Sequence, residues 1–202
     1  ALLGRAKVDG EVITTLIDKF HYPRFGPGMM WEKCRDRLLE RGVETHLGTT
    51  VVGLRHEGGR IRTAVLEDRS GRQWEEEADS FISSMPLGHC LRALDPPLDD
   101  EARSSADRLR YRDFLTVVLI IDREDVFPDN WIYIHSSAVR VGRVQNFKNW
   151  SPYMVPDPSK TALGLEYFVH EGDDLWSAND DSLLSLGADE MSTLGLINPS
   201  EV

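Results

Sequence analysis

His21-Tyr22-Pro23-Arg24-Phe25-Gly26-Pro27-Gly28-Met29-Met30-Trp31-Glu32 decides how this chain is read. Two prolines frame a turn, two glycines leave its backbone bare, and an amphipathic pattern follows. A backbone this bare can lie against a flat ligand, and the helix start behind it can face negative charge. Pro27 sits where a first-turn proline is tolerated. The spacing predicts a helix from about Gly28 to Arg41. Met30, Trp31, Cys34 and Leu38 share one face, and Glu32, Lys33, Asp36, Arg37 and Glu40 lie outside it. Gly42 is a natural left-handed cap.

Upstream, residues 1–20 read as a short helical tail, with Val12, Leu16 and Phe20 four apart. Downstream, Val43, Thr45 and Leu47 alternate as in a short strand. Thr50 to His56 is another strand, Gly58-Gly59 a strong hairpin turn, and Arg60 to Leu66 the return. A third strand runs from Arg72 to Glu77. Asp79 to Ser83 reads as a short strand closed by Ser84-Met85-Pro86, with a short helix through Leu94. Pro96-Pro97 marks a break and a domain boundary. Beyond a helix at Asp99 to Leu109 the pattern changes to longer strands: Phe114–Asp122, Trp131–His135, Arg140–Phe147 and Ala162–Phe168. Residues 148–160 read as a proline-studded loop, and a helix from about Asp180 to Leu194 follows. The fold class is α/β (α+β), an α/β part followed by a mainly antiparallel sheet with helices.

The ordered set Y-P-R-F-G-P-G-M-M-W-E, G-V-E-T-H-L-G-T-T-V-V-G-L, G-G-R-I and F-I-S-S-M-P-L resembles the interior of the flavin-containing amine oxidase superfamily. Within it the chain is similar to the protoporphyrinogen oxidase-like and UDP-galactopyranose mutase-like members. The strong part of the resemblance covers residues 20–94. It implies a fragment of a doubly wound FAD-binding domain with a β-meander over residues 21–94, and a substrate-binding domain with an antiparallel sheet over residues 95–202. The tail at residues 1–20 would belong to the substrate domain. FAD is the implied cofactor.

The resemblance also implies roles. Gly26, Pro27 and Gly28 would form the loop near the isoalloxazine ring, with Tyr22 and Arg24 at its approach to the substrate. Val51 would present its backbone to the adenine end, and Ser83, Ser84 and Pro86 would close a strand end near the cofactor. Plainer alternatives stand beside each role: a turn launching a helix, ordinary packing for Tyr22, a surface salt bridge for Arg24, core placement for Val51, and local turn hydrogen bonds for the serines. His21 is a candidate proton shuttle or a surface residue. The G-x-G-x-x-G fingerprint and its acidic partner are absent. The chain also starts at Ala1, so it is expected to be a truncated piece of a longer protein and inactive alone.

In the second half, Asn130, Trp131, Tyr133, Gln145, Asn146, Phe147, Asn149, Trp150 and Tyr153 would line a polar, aromatic pocket on a sheet face. Asn146 and Trp150 are the candidate substrate-binding residues there. The alternative is sheet core plus a polar loop. Glu166, on an alternating strand, is a candidate buried polar partner, with a solvent-facing position the first expectation.

Composition bounds the rest. The 202 residues are 41% hydrophobic and 28% charged, which fits a globular protein. The net charge of -11 argues against a nucleic-acid partner. No apolar run approaches a membrane span; the longest is Phe114 to Ile121. Cys34 and Cys90 read as buried free thiols, which points to a reducing, cytoplasmic compartment. The histidines and acidic groups lack metal-ligand spacing, so no metal is expected. The expected parent is an FAD-dependent oxidoreductase or flavin-dependent mutase acting on a small molecule, a sugar-nucleotide or an amine. The alternative is a non-catalytic carbohydrate- or nucleotide-binding module.

Overall fold

The computed structural model describes residues 7, 8, 11, 12 and 20–202. In chain order the elements are β1 (Lys7–Val8), β2 (Glu11–Val12), α1 (Gly28–Glu40), β3 (Thr49–Glu57), β4 (Arg60–Asp68), β5 (Gln73–Glu77), α2 (Leu87–Arg92), β6 (Leu94–Asp95) and α3 (Asp100–Asp107). They continue with β7 (Asp113–Ile121), β8 (Trp131–Tyr133), β9 (Arg143–Asn146), α4 (Phe147–Trp150), β10 (Thr161–Val169) and α5 (Asp180–Thr193), with short 3-10 turns at Pro152–Met154 and Pro199–Glu201. The chain divides into two compact units, one of residues 1–37 and 112–202, the other of residues 38–111. This division differs from the expected one, which has its boundaries after residues 20 and 94.

In the first unit an antiparallel sheet runs in the order β7-β10-β9-β8. Its register fixes which side chains share a face. Val117, Leu119 and Ile121 of β7 lie level with Leu165, Leu163 and Thr161 of β10, and Val144 pairs with Leu165. This face joins Met191 and Leu183 of α5 in the core. Each buried aliphatic side chain contributes about 1.5–3 kcal/mol. The helix can come this close because position 187 is glycine, where a Cβ would stand 3.0 Å from Leu165 Cδ2.

One carboxylate ties that helix to the sheet. Glu190, on α5, accepts from the backbone N–H of Arg140 (2.6 Å) and Val141 (3.1 Å) and from the Tyr167 hydroxyl (3.0 Å). Burial and the neighbouring carboxylate push the Tyr167 phenol well above its ordinary range. α5 itself starts where Asn179 Oδ1 accepts from Ser182 N, an N-cap.

In the second unit β5, β4 and β3 form the expected meander, with β6 parallel to β3 at Leu54 and Arg55. Gly58 and Gly59 both have positive φ, as a tight hairpin requires. Val52 is bulged out between Val51 and Gly53. Asp99 caps α3 by accepting from Ala102 N at 2.8 Å.

Several expectations need correction. Lys7–Val8 and Glu11–Val12 pair as antiparallel strands, so the expected helix does not run through them; residues 1–6, 9, 10 and 13–19 of that tail lie outside the described residues. Val43 to Leu47 is a bend rather than a strand: Gly42 and Gly48, at φ +74° and +70°, turn the chain on either side of it. Asp79 to Ser83 is irregular, with no neighbour strand paired to it among the described residues. β9 stops at Asn146 because the chain turns helical at Phe147. Cys34 is exposed rather than buried. Met30, Trp31 and Leu38, its companions on the apolar face of α1, are exposed with it, and the helix buries no residue. No helix among the described residues is long and apolar enough to cross a membrane.

Candidate functional site

The face of the first unit's sheet opposite α5 carries the polar and aromatic groups. Period-two alternation places Phe114, Thr116, Val118 and Ile120 of β7 there, with Gly164, Glu166 and Phe168 of β10, Arg143 and Gln145 of β9, and Trp131 and Tyr133 of β8. Gly164 has no side chain because Phe147 occupies the space: a Cβ would stand 2.6 Å from the ring. That ring packs where β9 passes into α4, and α4 delivers Trp150 to the same face.

Trp150 is the centre of an aromatic cluster. It stacks on Trp131 at 5.2 Å between centroids with 7° between planes, and it meets Tyr22 at 4.9 Å and Phe20 at 5.6 Å. Such contacts add about 0.5–1.5 kcal/mol each beyond area burial. Trp131, Trp150, Arg143 and Gln145 line a shallow cavity of about 150 Å³, the size of a single ring. The indole Nε1–H of Trp150 is buried without a partner among the described residues.

The loop bearing Tyr22 is clamped from below by the segment after α4. Ser151 Oγ donates to the Arg24 carbonyl at 2.6 Å, and Met154 packs on Gly26. The Arg24 guanidinium lies 3.6 Å from the Tyr153 ring centroid. Gly26 is buried at φ +96°, a conformation that favours glycine, and its N–H donates to Pro23 O at 3.1 Å. Burial raises the Tyr22 phenol above its ordinary pKa.

The structure therefore brings Tyr22 and Trp150 together and sets Arg24 against Tyr153 in the same unit. Asn146 goes elsewhere. Its register partner is core Leu163, so it points to the α5 side, where its amide donates to Phe127 O at 3.2 Å. Asn149 donates to Phe127 O and Asp129 O and serves the loop before β8. Tyr133 is on the face, at 5.8 Å from the Arg143 guanidinium.

Glu166 corrects its expectation most sharply. It is 2% exposed, and its carboxylate accepts from Arg143 Nε and from Gln145 Nε2. A buried carboxylate persists where it is paired and hydrogen-bonded. Arg143 was not among the candidates. The signal was available: a single acid inside an otherwise apolar strand, with an arginine on a strand able to pair with it.

The residues expected near a flavin are distributed over both units. In the first, Gly26, Pro27 and Gly28 open α1, whose first turn has no acidic residue, and nothing stands within 4 Å of where a Cβ at Gly28 would lie. In the second, Val51 lies on β3 upstream of the β6 pairing, so β4 alone pairs with it. Ser83, Ser84 and Pro86 are exposed, and Ser83 Oγ accepts from Met85 N at 3.3 Å. Bare backbone at the start of α1 fits a flat cofactor with a negatively charged linker.

The model of the flavin containing amine oxidoreductase family matches residues 26–199. The chain belongs to this family, which brings with it a flavin as cofactor. Among solved structures, a reduced UDP-galactopyranose mutase superposes with a TM-score of 0.71 at 17% identity, over 90% of this chain and 38% of that one. An oxidoreductase from Methanosarcina mazei gives 0.64 at 17% identity, over 83% and 38%. A putrescine oxidase redesigned in its cofactor binding gives 0.54 at 13% identity, over 83% and 34%. The chain thus spans less than two-fifths of the length of each. No curated protein matches it.

Proposed function

We propose that this chain is part of an FAD-dependent enzyme, an oxidoreductase or a flavin-dependent mutase, whose substrate is a small ring-bearing molecule such as a sugar-nucleotide or an amine. The observation that carries the reading is the cavity on the open sheet face, where a stacked indole pair stands beside hydrogen-bond donors. When bound, the flavin supplies the two-electron chemistry. The chain's own residues bind, orient and exclude water. Trp131 and Trp150 offer flat apolar surface to a ring, Arg143 and Gln145 offer donors, and Tyr22 closes the cluster over Trp150.

On this reading Gly26, Pro27 and Gly28 approach the isoalloxazine ring, Val51 presents its backbone to the adenine end, and Ser83, Ser84 and Pro86 close a strand end near the cofactor, as the family resemblance implies. Arg24 acts through the loop it holds rather than as a free cation. Asn146, on the core side, supports the loop at Phe127 and does not reach substrate. The pyrophosphate cradle of a G-x-G-x-x-G turn is not encoded in these 202 residues, so the isolated chain binds FAD weakly and lacks activity. The cytoplasm suits its two free cysteines.

The test is kinetic. In the flavoprotein expressed from its full reading frame, Trp150→Ala is expected to raise KM for substrate about tenfold or more with flavin content unchanged, as for loss of an aromatic anchor of ~1.5–3 kcal/mol. An unchanged KM would remove this face from the substrate site.

A further inference from the structure

The sheet face carries a charge pair that aromatic stacking alone does not require. Glu166 sits at the centre of β10, paired in register with Arg143 on one side and Thr116 on the other. Its two oxygens take Arg143 Nε and Gln145 Nε2, and both of these side chains line the cavity with Trp131 and Trp150. The first consequence is geometric. Arg and Gln side chains have several rotatable bonds, and a single buried carboxylate fixes both. The second is electrostatic. Arg143 is the one charged residue lining the cavity among the described residues, and Glu166 cancels it at contact distance. A bare guanidinium in this position would draw phosphate or carboxylate. A neutralised one, beside an amide and two indoles, suits an uncharged ring with polar substituents.

We infer that Glu166 is a positioning and specificity-determining residue: it fixes Arg143 and Gln145 and cancels the Arg143 charge, so that the Trp131–Trp150 cavity takes an uncharged ring and disfavours an anionic group. The inference rests on the reading of this face as a substrate site. It narrows the ligand at this cavity to an uncharged ring, so that a sugar-nucleotide would place its base or sugar here and its phosphates away from Arg143, and it gives the buried acid a task beyond stability.

The experiment uses two probes that differ in charge, uridine and uridine monophosphate, and follows the indole N–H resonances of the chain's five tryptophans by NMR. The Trp131 and Trp150 signals are assigned with Trp131→Phe and Trp150→Phe. In the wild type both signals shift, and uridine binds more tightly than its monophosphate. Glu166→Gln, which leaves Arg143 unneutralised, moves the ratio of the two dissociation constants about tenfold toward the monophosphate. Arg143→Gln moves the ratio about tenfold the other way. If Glu166→Gln does not fold, Arg143→Gln decides alone. A ratio unchanged in the folded variants overturns the inference and leaves the face standing as a ligand site. If neither probe moves either signal in the wild type, the substrate-site reading itself falls, and the inference with it.

Discussion

The Arg24 guanidinium stands 3.6 Å from the centre of the Tyr153 ring, while the Arg24 carbonyl accepts from Ser151 Oγ. Residues more than a hundred positions apart thus clamp the glycine loop from both its side-chain and main-chain atoms. Tyr153→Leu removes the ring and is expected to raise the hydrogen-exchange rate of the Gly26 amide about two- to fivefold, the range of an exposed cation–π contact. Exchange at Leu165 N–H, in the sheet core, should not change.

Glu190 holds α5 to the sheet through two backbone N–H groups and a phenol. Glu190→Ala leaves those donors buried without a partner and is expected to cost about 3–5 kcal/mol in urea unfolding. Tyr167→Phe removes one bond to a carboxylate and costs about 1.5–3 kcal/mol. In the double variant the losses should add to less than their sum, since they share an oxygen.

Gly164 and Phe147 occupy one space. Gly164→Ala places a methyl 2.6 Å from the ring and is expected to destabilise by about 1–3 kcal/mol. Phe147→Leu vacates that space, so Gly164→Ala on this background should cost less. Equal cost on both backgrounds would show that the ring does not set the choice of glycine.

Asp174 pairs with both terminal nitrogens of Arg140, at 2.7 and 2.8 Å, and this holds its carboxyl down from 3.8 to about 2. The folded value lies below the unfolded one, so the pair's stabilisation is present above pH 4 and fades as pH falls toward 2. The pair is exposed, so the effect is small and sensitive to salt. Asp174→Asn is expected to flatten the fall in thermal midpoint between pH 4 and 2, and added salt should flatten it in the wild type.

Local signals made much of the fold legible. Gly58-Gly59 fixed the hairpin, Gly42 ended α1, an apolar run of strand length found β7, and alternation found β10. What it could not show was which partner each strand would find. Val43 to Leu47 alternates as a strand does, yet glycines at 42 and 48 bend it away. Trp150 and Tyr22 were recognisable as aromatic candidates, but the side of the sheet that Asn146 faces was not legible: parity along β9 sets it, and parity depends on where pairing with β10 begins. Glu166 does lie on the open face, and side chains across the sheet, not its parity, bury it. An acid on an alternating strand looks solvent-facing until the arginine and glutamine across the sheet are known.

The exposed apolar faces are a related matter. Trp31 and Ile82 are 67% and 102% exposed in this chain. Their neighbours in sequence are the residues proposed to approach the cofactor, Gly28 and Ser83. Sequence alone shows that such residues are apolar, and only packing shows what they meet.

The most direct test of the account is the visible absorption spectrum of the protein purified from its full reading frame. The account predicts flavin bands, with about one FAD released per chain on denaturation. A colourless protein that takes up no FAD on reconstitution would contradict it.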